Sequence, residues 1–379
     1  MKKALLALAT AAASLFALSA NAQSVKESDW GKTSDGTPVK LYTMKNAKGM
    51  TVQVTNFGGR IVKMLVPDRN GKFDDIVLGY DKISDYEADR NTYFGALIGR
   101  YGNRISNATI EIDGKEYKLT PNDSGGNHIH GGRIGFDRRV WDVKASANSN
   151  QAVLVLTLLA RDGEEGYPGN LKVTVTYTLD NSDTFTANYK ATTDKPTICN
   201  LTQHTYFNLA GAGKGSIANH ELTINADKFT PVSKKYLIPT GGLRDVAGTP
   251  FDFRKARTVG SRIEADDGQL LGAGGYDHNW ALNKDEKNPK AMTEAVVVYE
   301  PTTGREMTIS TTEPGVQFYA GNFLNKQKGK NGRIYRHRYG MCFETQHYPD
   351  SPNNSDFPTT ILRPTQTYDT TTQFKFSVY

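Results

Sequence analysis

The segment AVLVLTLL at residues 152–159, together with LKVTVTYTL at residues 171–179, decides the fold class. Apolar and polar side chains fall on alternate faces of both segments, and a period of two predicts strands that bury one face more than the other. The same pattern occurs in MTVQVT at residues 50–55 and in ATIEIDGKEYKL at residues 108–119. Half-buried strands of this kind are typical of antiparallel sheets.

The segments between these strands carry turn signals. Asp113-Gly114 and Asn70-Gly71 are pairs that favour two-residue type I′ hairpins, and residues 302–304 (TTG) separate two further strand-like runs. Helical patterns are scarce, and only residues 83–89 and 262–269 predict short helices. Many strands joined by tight turns predict an all-β sandwich or barrel.

The composition is that of an ordered globular protein, with 37% hydrophobic and 23% charged residues, so a disordered or fibrous chain is excluded. A length of 379 residues alone suggests two or three domains. However, no linker rich in Ser, Pro or Gly and no internal repeat divides the chain. We therefore predict a single large antiparallel β-sandwich domain over residues 23–379, with few short helices.

The N-terminus resembles a secretory signal peptide. Lys2 and Lys3 precede an apolar run over residues 4–20, and residues 20–22 (ANA) form a small-x-small cleavage site. The alternative, a membrane anchor, is disfavoured by the short run. We expect cleavage after Ala22 and a periplasmic or secreted protein, with no membrane attachment after cleavage. Without the two lysines, 44 basic residues face 40 acidic ones, and this net charge of +4 is too small to indicate nucleic-acid binding.

Two smaller features stay open at this stage. Cys199 and Cys342 can form a disulfide in an oxidising compartment or remain buried as free thiols, and no paired Cys/His spacing indicates a zinc site. The segment KQKGKNGRIYRHR at residues 326–338 is either a solvated basic loop or a patch for an anionic ligand.

Two histidine clusters are candidates for chemistry. On an extended strand, His128 and His130 share a face next to a Gly-Gly pair, a spacing that allows a metal pair but lacks a third ligand nearby. In the run at residues 200–209 (NLTQHTYFNL), alternation puts Thr202, His204 and Tyr206 on one face. A histidine beside hydroxyl groups is suited to proton transfer, although each histidine can also be structural.

Two further clusters place a carboxylate among aromatic residues. They are GGYDHNW at residues 274–280, with Asp277, and GMCFETQHYPD at residues 340–350, with Glu344. Partial burial raises the pKa of such a carboxyl group, which suits a general base.

Eight motifs, spread in this order over nearly the whole mature chain, resemble those of the aldose 1-epimerase (galactose mutarotase) family. They are YFGALIGRYGNRI (93–105), HIHGG (128–132), EEGYPG (164–169), NLTQHTYFNLAG (200–211), IPTG (238–241), GGYDHNW (274–280), EPGVQFYAGNFL (313–324) and GMCFETQHYPD (340–350). The resemblance implies a large antiparallel β-sandwich, a shallow sugar cleft on one sheet, no cofactor, no metal and a free monosaccharide as substrate.

The resemblance also implies roles for individual residues. Glu344 matches the general base that removes the proton from the anomeric hydroxyl O1, and His204 matches the general acid that protonates the ring oxygen O5. His130 matches a residue that binds and orients the sugar near O5. The other sugar-contacting positions are matched by Asn103, Arg104, Tyr206, Asp277 and Gln317. Gln203 departs from the asparagine found in many members, and we expect it to point to the opposite face.

Three alternatives remain beside this interpretation. A glycoside hydrolase would use Asp277 and Glu344 as its two carboxylates. A carbohydrate-binding module would use the same sandwich without catalysis. An epimerase for phosphorylated hexoses would need a basic cluster at the cleft, for which residues 326–338 are the candidate. The preferred aldose is not predicted, and either a monomer or a homodimer is expected.

Overall fold

The structure is a computed structural model that describes residues 23–379. The expected signal peptide and its cleavage point after Ala22 lie outside the described residues. Within them, the chain forms thirty strands and two short α-helices. Neither helix in this part of the chain has the length and apolar character that a membrane span requires.

The first fifteen strands are β1 (Ser24–Lys32), β2 (Pro38–Lys45), β3 (Thr51–Thr55), β4 (Ile61–Pro67), β5 (Phe73–Asp75), β6 (Ala96–Ile98), β7 (Arg104–Ile105), β8 (Thr109–Ile112), β9 (Lys115–Lys118), β10 (His128–Ile129), β11 (Asp142–Ala147), β12 (Gln151–Ala160), β13 (Leu171–Asp180), β14 (Thr184–Thr193) and β15 (Thr197–Ile198). The remaining strands are β16 (Thr202–His204), β17 (Tyr206–Phe207), β18 (Glu221–Ile224), β19 (Lys228–Thr230), β20 (Arg244–Asp245), β21 (Arg257–Thr258), β22 (Asp277–Ala281), β23 (Thr293–Glu300), β24 (Arg305–Thr311), β25 (Gly315–Tyr319), β26 (Gln327–Lys328), β27 (Ile334–Tyr335), β28 (Met341–Gln346), β29 (Ile361–Leu362) and β30 (Tyr368–Val378). The helices are α1 (Ile83–Ala88) and α2 (Gly268–Ala273). Eight single turns of 3₁₀ helix occupy Ser106–Ala108, Ser124–Gly126, Phe136–Arg138, Glu164–Gly166, Ile217–Asn219, Val259–Ser261, Lys330–Gly332 and Ser351–Asn353.

Two antiparallel sheets form the centre of the molecule. The larger sheet has nine strands in the order β11-β12-β13-β14-β30-β24-β23-β18-β21, and the smaller has six in the order β17-β28-β25-β22-β19-β20. A third sheet, β1-β2-β3-β4-β5, contributes to the same buried cluster of apolar side chains. The prediction of a large antiparallel β-sandwich with few short helices is therefore confirmed.

The two central sheets meet through aromatic side chains and one polar contact. Phe207 on β17 lies 5.6 Å from Phe374 on β30, measured between ring centroids. Within the smaller sheet, Phe343 stacks on Phe318 at 5.1 Å, and both side chains belong to the shared core. The Thr345 and Thr372 hydroxyl groups are 2.6 Å apart across the interface. Each fully buried aromatic side chain contributes roughly 1.5–3 kcal/mol to folding, so this interface fixes how the smaller sheet sits on the larger one.

The opposite face of the six-stranded sheet carries polar side chains. Because side chains alternate along a strand, burying Phe318 and Phe343 in the sandwich turns Gln317 and Glu344 to the other face. These two residues are direct cross-strand partners, and Asp277 is the partner of Tyr319 in the neighbouring row. Three adjacent strands thus place these polar groups side by side.

The two predicted two-residue turns have different outcomes. Asp113-Gly114 joins β8 to β9 with both residues at positive φ (53° and 76°), as a type I′ turn requires. The prediction for Asn70-Gly71 is wrong, because the ladder ends at Asp68 and Lys72 and leaves a three-residue loop. There only Gly71 has a positive φ, 74°.

Of the two predicted helices, one is confirmed and the other is wrong. The predicted helix over residues 83–89 is confirmed as α1. The one over residues 262–269 is wrong, since α2 begins only at Gly268. Its start is set by Asp267, whose carboxylate accepts a hydrogen bond from the Gln269 amide at 2.8 Å, and Gly274 ends it with φ 68°.

The structure shows the state of the two cysteines and the contacts of the basic segment, which the sequence left open. Cys199 and Cys342 are both buried free thiols. The basic segment at residues 326–338 contains the β26–β27 hairpin, anchored by buried Lys330, which pairs with Asp75 at 2.6 Å. Further anchors are hydrogen bonds from Asn331 to Asp81 and from Arg333 to the Ala212 carbonyl. These partners are not among the predicted site residues.

Candidate active site

Glu344 and His204 form the centre of the candidate site. Glu344 lies in the middle of β28, and His204 ends β16, the short strand that precedes β17. His204 Nε2 is 3.6 Å from Glu344 Oε1, and both side chains are at most 6% exposed. The structure therefore brings the two residues proposed for proton transfer into direct proximity, sheltered from water.

His130 joins this pair, but not by the predicted route. The chain leaves the extended conformation after Ile129, because His130 has φ 52°, so the prediction that His128 and His130 share a strand face is wrong. His128 points into the protein, where its Nδ1 lies 2.7 Å from the Thr120 carbonyl and its Nε2 lies 2.5 Å from the Tyr167 hydroxyl. His128 is thus structural, and His130 alone faces the site.

The tautomer of His130 follows from its contacts. Its Nδ1 accepts a hydrogen bond from the Asn103 amide at 3.1 Å, so in the neutral ring the proton is on Nε2. Burial, together with the nearby His204 and Arg104, lowers the pKa of His130 well below its usual range. Its ring centroid is 5.1 Å from that of His204. His130 is therefore a neutral hydrogen-bond donor beside the pair.

Three residues of the site have left-handed backbone conformations. Tyr93 has φ 54°, Asn103 has φ 64° and His130 has φ 52°. Such conformations cost of order 1–3 kcal/mol each and persist only where the surroundings impose them. For His130, the next residue in the chain shows which contact imposes the left-handed conformation. Gly131 has φ 88°, and a Cβ there would lie 1.9 Å from the Gly99 carbonyl oxygen. Only glycine allows this close approach.

Tyr93 is a site residue that the sequence interpretation missed. Its ring centroid lies 4.8 Å from that of His130 and 5.7 Å from that of His204. It is the first residue of the YFGALIGRYGNRI motif, which was the available signal, but nothing in the sequence shows that its side chain covers both imidazoles. Tyr206, which was predicted, also packs against His204, with 5.2 Å between the ring centroids.

Arg104 brings a positive charge to the site. Its Nε donates to Asp123 Oδ2 at 2.7 Å, and the adjacent Asn103 accepts the Arg104 amide through Oδ1. The charge of Arg104 opposes the rise in pKa of both Glu344 and Asp277. Asp123, which holds the guanidinium, was not predicted, because it lies in a loop with no pattern that links it to Arg104.

Asp277 and Gln317 form the polar wall next to Glu344. Gln317 Nε2 donates to Asp277 Oδ1 at 2.8 Å. Within residues 23–379, Gln317 Oε1 and Glu344 Oε2 are buried polar atoms without a hydrogen-bond partner. Because such atoms are costly when left unpaired, they mark positions where a polar ligand supplies partners. Tyr319 was missed, although it follows Gln317 by two residues and so shares its face.

Burial shifts the protonation of the central residues in opposite directions. It lowers the pKa of His204 to about 4. It raises the pKa of Glu344 well above its usual range, and the neighbouring carboxylate of Asp277 adds to this rise. Both shifts disfavour the charged form. Without sugar, Glu344 and His204 are therefore most stable when they share a single titratable proton and Glu344 holds it. Moving that proton to His204 gives the ion pair without any exchange with solvent.

The other ring nitrogen of His204 has a sulfur neighbour. Nδ1 lies 3.5 Å from Cys342 Sγ, within the range of a weak S–H···N hydrogen bond. Burial raises the pKa of Cys342 well above its usual range, so the thiol keeps its proton. While the thiol donates to Nδ1, Nε2 carries the proton of the neutral imidazole. Acceptance of the proton from Glu344 at Nε2 requires the other tautomer, in which Nδ1 carries the ring proton and points it at Sγ.

A metal ion has one possible position among the described residues. Ligand atoms of His130, His204 and Glu344 all lie within 4.8 Å of one another. Two nitrogens and one carboxylate oxygen are a reasonable donor set for a divalent transition metal. The expectation that the protein uses no metal and no cofactor remains a prediction, and it is tested below.

A cavity of about 610 Å³ opens beside these residues. Tyr93 and Arg104 line both this cavity and the site, so the two are continuous on that side. The described part of the chain thus brings the eight predicted site residues together around one sheltered, polar centre.

Comparison with known proteins identifies similar sequences. A family model described as aldose 1-epimerase matches residues 40–375. The galactose mutarotase of Homo sapiens is 44% identical over 330 residues, which cover 87% of this chain and 92% of that protein. The aldose 1-epimerase of Escherichia coli (strain K12) is 37% identical over 344 residues, covering 90% and 96%.

Solved structures agree. The galactose 1-epimerase from Lactobacillus acidophilus NCFM superposes with a TM-score of 0.82 at 31% identity, covering 94% of this chain and 99% of that one. An aldose epimerase homologue from C. elegans gives a TM-score of 0.78 at 30% identity with the same coverage.

Proposed function

Because the chain belongs to the aldose 1-epimerase family, we propose that it interconverts the α and β anomers of free hexoses of the glucose and galactose type, with Glu344 as general base and His204 as general acid. The enzyme is an isomerase. The separation of 3.6 Å between His204 Nε2 and Glu344 Oε1 carries the assignment of these two roles.

That separation suits the chemistry because both reacting oxygens are bonded to the same carbon. Ring opening removes the proton from the O1 hydroxyl and delivers one to the ring oxygen O5, and both atoms are attached to C1. A base and an acid that act on them together must therefore lie close to one another. Positioned proton transfer of this kind typically accelerates a reaction by about 10²–10⁴-fold.

The reaction proceeds in two halves. Glu344 takes the O1 proton while His204 donates a proton to O5, and the C1–O5 bond breaks to give an open-chain aldehyde. Rotation about C1–C2 presents the other face of the carbonyl group to the C5 hydroxyl. His204 then removes the hydroxyl proton, O5 attacks C1, and Glu344 returns its proton to O1. The pair ends each cycle in the protonation state in which it began.

The single proton of the pair explains how a buried site can work in this way. Glu344 and His204 need one proton between them, and this is also the count that burial favours. Hydrogen bonds from sugar hydroxyls to Glu344 and the charge of Arg104 both stabilise the carboxylate. Sugar binding therefore shifts the proton to His204, which becomes the acid.

The remaining residues recognise the sugar. Asp277 accepts hydrogen bonds from sugar hydroxyl groups, whereas Arg104 and the side-chain Nδ2 of Asn103 donate to their oxygens. Gln317 Oε1, which lacks a partner, accepts another hydroxyl. His130 donates from Nε2 near O5, and Tyr206 offers an aromatic face beside His204.

Polarimetry tests the proposal. Freshly dissolved α-D-galactose or α-D-glucose should relax to its equilibrium rotation far faster with the enzyme than in buffer alone. Relaxation no faster than in buffer would favour a carbohydrate-binding protein. Methyl α-D-galactoside is the control, since it has no O1 hydroxyl, and release of free galactose from it would indicate a glycoside hydrolase instead.

We also propose that neither a metal nor a cofactor takes part. Acid and base catalysis by Glu344 and His204 is sufficient for the reaction, and a cation bound to both residues would remove the base. Dialysis against EDTA should therefore leave kcat within about twofold of the untreated enzyme, whereas loss of activity that Zn²⁺ restores would assign His130, His204 and Glu344 to a metal.

Export of the protein is a further proposal, supported by the signal-like pattern at residues 1–22. An exported epimerase would act on free sugars outside the cytoplasm. Cell fractionation and the intact mass of the purified protein test this, with Gln23 as the expected first residue. Recovery of the full-length chain in the cytoplasm alone would contradict it.

A further inference from the structure

The cavity beside the Glu344–His204 pair extends past the residues that the proposed function uses. Its volume of about 610 Å³ is typical of small-molecule sites, which range over about 300–1,000 Å³. Tyr93, which lines it, also packs within 5.7 Å of the His204 ring. A sugar whose O5 faces His204 therefore has open space next to it on the Tyr93 side.

The lining of this cavity carries excess positive charge. Its two acidic residues are already paired, Asp123 with Arg104 at 2.7 Å and Asp137 with Arg60 at 3.1 Å. Three further arginines line it, namely Arg90, Arg133 and Arg138. In residues 23–379, none of the ion pairs within 4.0 Å includes any of these three.

The hydrogen-bond partners of the Arg138 and Arg133 guanidinium groups are neutral, whereas the Arg133 backbone amide donates to the Glu165 carboxylate at 3.1 Å. Arg138 donates from Nη1 to the Asp89 carbonyl at 3.2 Å and from Nη2 to the Glu87 carbonyl, and Arg133 donates to the Pro121 carbonyl at 3.3 Å. Carbonyl oxygens orient a guanidinium group but do not neutralise it. Burial lowers the pKa of Arg138, the carboxylate of Asp137 opposes this shift, and the positive charges of Arg90 and Arg60 add to it. With four arginines and two aspartates in its lining, the cavity therefore carries a net positive charge.

We propose that this cavity binds a negatively charged substituent of the sugar, so that the substrates include acidic aldoses. The inference rests on the proposed function, which places O5 at His204. Because C6 is attached to C5, beside O5, a group on C6 is the one that reaches past Tyr93 to the arginines. Guanidinium groups bind carboxylates and phosphates through paired hydrogen bonds. The ligand class is thus a hexose with an anionic group at C6, either a hexuronate or a hexose 6-phosphate.

Binding of sugars that cannot turn over tests the cavity separately from catalysis. Calorimetry at low salt would compare methyl β-D-galactoside with its uronate and with its 6-phosphate. We expect at least one of the two anionic glycosides to bind tenfold more tightly or better, and this advantage to shrink as NaCl is added. The uronate and phosphate arms show which anion the cavity takes.

Variants identify the residues responsible. Arg90→Gln combined with Arg133→Gln should abolish the preference for the anion and change the Kd of the neutral glycoside less than twofold, since both side chains are exposed. The matched control is Lys144→Gln with Arg257→Gln, which removes the same charge from exposed positions on the nine-stranded sheet. It should retain the preference.

Two results would overturn the inference: equal Kd values for neutral and anionic glycosides, or a preference that survives the Arg90 and Arg133 substitutions. The proposed function is measured in parallel by anomer relaxation of D-galactose. An anion preference that depends on the arginines supports the cavity assignment even if no relaxation is accelerated, in which case only the proposed function fails. Accelerated relaxation without such a preference would contradict only the assignment of the cavity as an anion site.

Discussion

At the residue scale, the site depends on ionisable side chains that are buried away from water. Glu344 and His204 are both almost fully buried, and each becomes useful because the other lies 3.6 Å away. A buried group without such a neighbour is neutral and inert, as His278 illustrates. Burial lowers the pKa of His278 to about 3, and it packs against Phe251 in the core.

Conservative substitutions of the pair test its roles. Glu344→Gln keeps the shape but removes the base, and His204→Asn removes the acid. We expect each to lower kcat for α-D-galactose by about 10²–10⁴-fold. Circular dichroism and the melting temperature serve as controls for folding. Near wild-type kcat in either folded variant would remove that residue from its proposed role.

The two histidines of the HIHGG motif should behave differently. His130→Asn removes the Nε2 donor, so we expect a higher KM and a roughly tenfold lower kcat/KM, in keeping with the net contribution of one hydrogen bond. His128→Asn should change kcat/KM less than threefold. It should lower the free energy of unfolding by about 1–3 kcal/mol, because Tyr167 and Thr120 lose a buried partner. The reverse order would mean that His128 is the binding residue.

The pH dependence follows from the proton count of the pair. Below the lowered pKa of His204, about 4, both groups are protonated and no base remains. Above the raised pKa of Glu344, both groups are deprotonated and no acid remains. The profile of kcat/KM against pH should therefore keep its plateau down to about pH 4 and fall on the high-pH side where the pH passes the raised pKa of Glu344. An acid limb near pH 6.5 would show that His204 titrates as an exposed histidine.

At the element scale, the six-stranded sheet positions most of the polar groups. In β28, Thr345 contacts Thr372 of the larger sheet and Phe343 lies in the shared core, so Glu344 between them points to the other face, toward the site. In β25, Phe318 does the same for Gln317. Alternation places both residues once Phe318 and Phe343 are assigned to the core. The same rule underlies the prediction that Gln203 points to the opposite face, and its side chain donates to the Tyr177 hydroxyl in the core.

The rest of the site could not be predicted because loops supply it. The strand that contains His128 ends one residue later, and the left-handed turn at His130 depends on contact between Gly131 and Gly99, which are distant in sequence. The Asp123–Arg104 pair is equally nonlocal. Alternation describes a strand only while the strand continues, and resemblance to a family supplied the assignment of His130 that the pattern could not.

Substitution of Gly131 tests this turn. Gly131→Ala would place a Cβ 1.9 Å from the Gly99 carbonyl oxygen, so the backbone must shift and carry His130 with it. We expect a loss of kcat/KM of at least tenfold together with a lower melting temperature. Gly114→Ala is the matched control, with a similar positive φ of 76° but no atom within 4 Å of the added Cβ. Equal effects of the two substitutions would attribute the loss to backbone strain alone.

At the scale of the whole molecule, the site is assembled from segments that extend from Tyr93 to Glu344. Four of the contributing strands, β17, β22, β25 and β28, also place apolar side chains in the shared core. The prediction of one domain over residues 23–379 therefore has a direct consequence. If the sandwich unfolds as a unit, no part of the site can outlast the core or be lost before it.

Urea denaturation tests this consequence with two readouts on the same samples. Fluorescence of Trp141 and Trp280, which are buried in the core, reports unfolding of the sandwich, and relaxation of α-D-galactose reports the site. We expect both transitions to have the same midpoint, because Glu344 and Gln317 cannot leave their positions while Phe343 and Phe318 remain packed. Activity lost at clearly lower urea would contradict a single unit, and would show that the loops carrying Tyr93 and His130 open on their own while the two sheets are still folded.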